Sequence, residues 1–187
     1  MLASGAQAGG RNQAIVSVDI NEDRLELARA ALAARSLGGR VTLVRGSAAA
    51  LFAAAPQFAP TLVFLDGDHT LRGVNRDLAV LERHVPVGAF LLFHDFASAR
   101  NDDPRNRLFE VRRAVTQSWV MRDCEFAGVF GLGGLFVRRE GGGLPDEAAA
   151  PLLLDAVRYD LPALRLKQRL PASARERLFR LLHTRSH

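Results

Sequence analysis

The chain has 187 residues, enough to bury one sizeable core, and 48% hydrophobic against 24% charged residues is the balance of a folded globular domain, not of a disordered one. A single cysteine, Cys124, excludes an intramolecular disulfide, the first fifteen residues lack the apolar run and basic flank of a secretory signal, and no apolar stretch approaches the roughly 18–20 residues of a membrane helix, so a reducing, cytoplasmic setting without a membrane partner is expected. The net charge of +5 comes from 25 basic residues, all arginine but Lys167, and acids interleave with them, so no basic face for a nucleic acid stands out.

The first readable element is QAIVSVDI (13–20), short and β-branched, which predicts a strand. It runs straight into NEDRLELARAALAAR (21–35), where Asn21 is a cap, Glu22 and Asp23 favour the first turn, and Leu25, Ala28 and Leu32 recur at helical spacing. Gly38 and Gly39 stop that helix. RVTLVRG (40–46) predicts the second strand and SAAALFAAA (47–55) a short helix closed by Pro56. TLVFLD (61–66) is the third strand, GVNRDLAVLERHV (73–85) a helix, and VGAFLLFHD (87–95) the fourth strand. Alternating strands and helices, with near-continuous apolar strands, predict an α/β fold whose mostly parallel sheet is covered on both faces.

After a polar loop, ASARNDDPRN (97–106), a helix is expected to align Leu108, Val111 and Val115. WVMRDCEFAG (119–128) and VFGLGGLFVRRE (129–140) predict two strands that pair as an antiparallel hairpin. A glycine joint at 141–143 leads to a proline-interrupted amphipathic tail, whose last helix is signalled by Ser173 and Glu176 as a capping box. The expected organisation is one α/β domain over 1–140 and a helical tail over 141–187, read as a packing appendage or the seam of a homodimer.

Three strands end in acid: Asp19, Asp66 and Asp95. Ligands of doubly wound sheets bind outside the carboxyl ends of the strands. Adjacent strands lie about 4.8 Å apart, so if the third and fourth pair, Asp66 and Asp95 project into one small volume. Two carboxylates that close repel unless a cation sits between them, and Mg²⁺, which takes carboxylate oxygens, is the simplest remedy. Asp19 has a different expected partner, since an acid ending a strand in such units accepts hydrogen bonds from ribose hydroxyls.

Taken together, VDINEDRLELARAAL, VFLDGDHTLRGVNRDLAVL and VPVGAFLLFHDF resemble successive motifs of class I S-adenosylmethionine-dependent methyltransferases. The subgroup is the one with an Asp-Gly-Asp-His segment and a His-Asp pair, similar to macrocin-type and catechol-type O-methyltransferases and to cephalosporin hydroxylase-like proteins. The resemblance covers about residues 12–140. It implies a Rossmann-like doubly wound sheet, S-adenosylmethionine as cofactor, Mg²⁺ as the expected ion, and methyl transfer to the hydroxyl of a small metabolite. Residue by residue, it implies Asp19, with Ile20 beside it, on the cofactor ribose, and Gly46 and Ser47 near the adenine. It puts Asp66 at both cofactor and metal, His94 and Asp95 at the metal, and His69 where related enzymes hold a catalytic base. An imidazole with an unperturbed pKa near 6.5 can take a proton from a hydroxyl acidified by the ion.

The sequence departs from that pattern at its start. The family's glycine-rich loop lies roughly 20 residues before the ribose acid, whereas eighteen residues precede Asp19 and MLASGAQAGGRN holds no G-x-G-x-x-G. The chain is therefore expected to begin after the family's first strand. Ser47 stands where many relatives carry an acid. His94 brings nitrogen, softer than Mg²⁺ prefers, so it either orients a water or admits a different metal.

Each of these residues also has a plainer reading. Asp68 and Asp77 can cap a turn or helix, His69 can be an exposed loop residue, His94 and Asp95 can start a helix, and Asp19 can serve the acidic start of the segment that follows it. Two other function classes stay open beside the enzyme: a non-catalytic methyltransferase-like remnant acting as an interaction module, and a basic nucleic-acid-associated protein.

Overall fold

A computed structural model describes residues 14–103 and 105–140. The expectations on 1–13 and 141–187 lie outside the described residues: the lack of a glycine-rich loop, the glycine joint, the tail helix and the tail-mediated dimer. The chain divides into two compact units, Met1–Phe58 and Ala59–His187.

In the first unit the order is β1 (Ile15–Asp19), α1 (Glu22–Ala33), β2 (Val41–Arg45) and α2 (Ala48–Ala54). The two strands pair in parallel, Ile15 opposite Val41 and Asp19 opposite Arg45. Asn21 caps α1 as its spacing predicts, its side chain accepting from the Arg24 N–H at 3.2 Å. The helix ends before the glycines that were expected to stop it. Ser36 takes a left-handed conformation (φ 54°), and the Leu37 N–H returns to the Leu32 carbonyl at 2.9 Å, burying Leu37. Among the described residues of this unit, Leu25, Leu37 and Phe52 are the buried apolar ones.

The second unit contains β3 (Leu62–Leu65), α3 (Leu71–His84), β4 (Phe90–Phe93), α4 (Val111–Thr116), α5 (Trp119–Asp123), β5 (Cys124–Phe130) and β6 (Gly133–Arg138). Its sheet has the order β3-β4-β6-β5. β3 and β4 run parallel, β6 returns antiparallel to β4, and β5 and β6 form the predicted hairpin with an irregularity between Phe126 and Gly128. The fold is thus α/β and Rossmann-like, with an antiparallel hairpin at its end. Its described strands are gathered into two hydrogen-bonded sheets, β1-β2 and the four-stranded one.

Three boundaries differ from expectation. α3 starts at Leu71, not Gly73, because the Thr70 hydroxyl caps it by accepting from the Gly73 N–H at 3.1 Å. Gly73 is needed there for another reason: a Cβ would stand 2.2 Å from the Asp68 carboxyl carbon. Leu108 lies outside α4 and is exposed, while Val111 and Val115 are buried as predicted. Residues 119–123 form a helical turn, not the start of a strand. Ser118 caps that turn through the Val120 N–H at 3.2 Å, and the Trp119 indole N–H is buried on the Leu78 carbonyl at 2.9 Å, an anchor 41 residues away that local propensity cannot register.

The core of the unit is aromatic. Phe93 and Phe96 meet Phe136 edge-on at 5.6 and 5.5 Å between centroids. Gly134 makes this possible, since a Cβ there would stand 2.5 Å from the Phe96 ring. Arg138 lies 4.7 Å over Trp119 and donates to the Glu82 and Val85 carbonyls at 2.7 and 2.6 Å, which satisfies the end of α3. Burial pushes the Cys124 thiol up to about 12. Among the described residues no helix is long and apolar enough to cross a membrane.

Candidate functional site

The carboxyl ends of β3 and β4 lie side by side because the strands pair Leu65 with Phe93. The ladder runs one step further, through the His94 N–H on the Leu65 carbonyl at 2.9 Å. Asp95 then turns the chain in a left-handed conformation (φ 57°), which few non-glycine residues adopt without a reason in the surroundings. Here Asn101 supplies that reason. Its amide donates to the carbonyls of Asp95 (2.8 Å) and Ser98 (2.9 Å), and its oxygen accepts from the Arg112 N–H (3.0 Å) at the start of α4. Phe96 and Ala97, fully buried, hold the far side of the turn.

His69 arrives from the loop between β3 and α3. Its ring stacks on Phe109 (4.7 Å, 17° between planes), whose ring also carries the Arg100 guanidinium at 4.7 Å, and its carbonyl accepts from the Glu110 N–H at 2.8 Å. The loop is tightened by Asp68, which accepts from the Thr70 N–H at 3.0 Å; that bond holds the Asp68 carboxyl below the usual carboxylate range. Asp77 reaches back from α3 towards Gly67, and burial pushes its pKa up.

Four side chains converge here. His94 Nδ1 lies 3.0 Å from Asp66 Oδ1 and 3.3 Å from Asp95 Oδ2. His69 Nε2 lies 3.6 and 3.2 Å from the same two oxygens. Both carboxylates reach the same nitrogens, so they face one volume, as the strand-end argument requires. Yet neither nitrogen makes a hydrogen bond, although both atoms are shielded from solvent. Ligand atoms of Asp66, His69 and His94 lie within 4.8 Å of one another.

A cation tests well against those three, while Asp95, whose Oδ2 reaches both nitrogens, is not part of that mutual group. Donors about 2.0–2.2 Å from a shared ion, at tetrahedral to octahedral angles, stand roughly 2.8–3.6 Å apart. The four nitrogen–oxygen separations here run from 3.0 to 3.6 Å. Buried nitrogens beside oxygens they do not bond to are also what a missing common partner leaves behind.

The other predicted residues gather in the first unit, at the carboxyl ends of β1 and β2. Asp19 Oδ1 accepts from the Asn21 N–H at 2.8 Å, and its Oδ2 lies 3.8 Å from Arg24. Gly46 (φ 153°) donates to the Asp19 carbonyl at 3.0 Å. The Ser47 hydroxyl caps α2 through the Ala50 N–H, and Ile20 is 75% exposed. Asp19 and Ser47 therefore do the plainer work of starting helices, whatever else they bind. Sequence reading missed Asn101, Phe109 and Glu110. Asn101 lies in the stretch that read only as a polar loop, Phe109 and Glu110 lie in the segment expected to be helical, and no local spacing marks them.

Residues 1–96 match the model of a family described as a methyltransferase domain. No match is found among curated protein sequences. Solved structures with the same fold include an O-methyltransferase from Bacillus cereus in complex with SAH (14% identity, TM-score 0.53, 68% of this chain and 63% of that one). Others are cofactor-bound Rv0187 from MTB (22%, TM-score 0.56, 75% and 66%) and the O-methyltransferase TomG from Streptomyces achromogenes in complex with SAM (18%, TM-score 0.51, 68% and 62%). The chain spans less than two thirds of the length of each of these proteins. What it shares with them at these identities is the fold, an α/β methyltransferase-type sheet. The family match extends over just more than half of the sequence, and the chain belongs to this methyltransferase-domain family.

Proposed function

We propose that the chain is an S-adenosylmethionine-dependent O-methyltransferase acting on a small hydroxylated metabolite, with a divalent cation held at the ends of β3 and β4. The observation that carries the metal-assisted reading is the convergence of two unbonded imidazole nitrogens on two carboxylates. Asp66, His94 and Asp95 would hold the cation, and when bound it supplies a lowered pKa to a hydroxyl that reaches it.

His69 would accept the hydroxyl proton at Nε2, its plane fixed by Phe109 and its main chain by Glu110. The freed oxygen pair forms the bond to the sulfonium methyl as the methyl–sulfur bond breaks, and the sulfur keeps that electron pair. Most of the rate would come from positioning and electrostatics. In the first unit, Asp19 and Ile20 would meet the cofactor ribose, and Gly46 and Ser47 its adenine. Support for this lies in their common position at the carboxyl ends of two parallel strands.

Isothermal titration of the full chain with S-adenosylmethionine, with and without a divalent metal, tests the reading. Binding in either condition supports it. No heat in both would overturn it in favour of the interaction-module alternative.

A further inference from the structure

The geometry points to a site built for a borderline first-row dication such as Fe²⁺ or Zn²⁺ in preference to Mg²⁺, with His94 Nδ1 and His69 Nε2 both ligands beside Asp66 and Asp95. This rests on the cation-site reading above and not on the methyl-transfer chemistry.

The donor set argues first. Mg²⁺ seeks oxygen, gives up water reluctantly and is held by one or two carboxylates with several waters retained. Imidazole suits the later first-row ions, and two nitrogens with one or two carboxylates is a ligand set they accept readily. Here half of the converging atoms are nitrogen. They alternate with the oxygens, each nitrogen facing both carboxylates at 3.0–3.6 Å.

Simple ion pairing explains the arrangement less well. A protonated imidazole held by a carboxylate points its N–H along the line to an oxygen, and neither His69 nor His94 does so. The main chains of His94 and Asp95 and the ring of His69 are also held in place. His94 continues the β3–β4 ladder, His69 is stacked on Phe109, and the Asp95 turn is tied by Asn101. Supporting contacts of this kind are what orient the donors of a metal site. His69 would thus be a ligand in the resting protein and a proton acceptor once a hydroxyl takes its place.

The test is metal binding itself. The full chain, stripped with chelator, is titrated separately with Mn²⁺, Zn²⁺ and Mg²⁺ by calorimetry, and the Mn²⁺-loaded protein is examined by pulsed electron paramagnetic resonance. Expected are a Zn²⁺ affinity at least about 100-fold above that of Mg²⁺, a Mn²⁺ affinity between the two, and a nitrogen coupling on the bound Mn²⁺. His94→Asp should narrow the preference to about 10-fold or less, and His69→Gln should weaken Mn²⁺ binding about 10-fold. Mg²⁺ binding as tight as Zn²⁺, or no nitrogen coupling on Mn²⁺, overturns the preference while leaving a cation site. Failure of all three ions to bind overturns the cation site as well, and S-adenosylmethionine binding in the same samples then decides separately whether the methyltransferase reading survives. The wild-type comparison needs no variant to fold.

Discussion

Two strand ends that look alike in sequence are used differently. Asp19 closes β1 and its carboxylate is taken up locally, by the Asn21 N–H and the neighbouring Arg24. Asp66 and Asp95 follow β3 and β4, and the groups nearest them are two ring nitrogens that do not bond to them. An acid after an apolar strand is therefore an ambiguous signal. What separates a helix start from an open cluster of donors is whether the carboxylate's hydrogen-bonding capacity is already spent.

The contrast can be broken most sharply at Asp66. If Asp66 is the metal ligand proposed above, Asp66→Asn should lower metal affinity by at least about 100-fold, read by calorimetry, with little change in unfolding temperature. Asn101→Ala should cost about 1–3 kcal/mol in urea unfolding, because the Asp95 and Ser98 carbonyls lose their donor, and it should weaken metal binding as the Asp95 turn relaxes. Asp19→Asn should cost only about 0.3–1 kcal/mol, the value of a charge at a helix start. If it also lowers S-adenosylmethionine affinity about tenfold, Asp19 serves the ribose as well as the helix; an unchanged affinity would leave it a helix-start residue alone.

Asp77 gives the smallest effect and a sign that can be checked. Its pKa is raised in the folded chain by burial, so the unfolded chain releases this proton first. Stability is then fully present below the unfolded value near 3.9 and is lost as pH rises from there through the raised folded value. Asp77→Asn should accordingly be more stable than the parent at pH 7, and the difference should vanish below about pH 3.9. Paired urea titrations at the two pH values measure it.

The alternation of elements and the three strand-end acids were legible in the sequence, because apolar strands and capped helices write themselves locally. The cap residue Asn21 and the pairing of Asp66 with Asp95 came from the residues themselves, His94 and His69 joined them only through the family resemblance, and Ser47 was expected at the adenine, not as the cap it forms. The rest depends on partners far along the chain. Leu108 matched a helical face that α4 does not extend to, and Trp119 read as strand although its indole is committed to Leu78. Asn101 sits in an unremarkable polar run, and only the folded loop shows it pinning the Asp95 turn. Phe109 read as nothing in particular until His69 was seen lying against it.

Trp119 carries one further consequence. It is the chain's sole tryptophan, it is buried, and it belongs to the second compact unit. Its fluorescence is thus a private channel on that unit, while far-ultraviolet circular dichroism reports the helices of both. Denaturation curves that coincide by the two optical signals would make the chain one cooperative block, and curves that separate would give each unit its own melting.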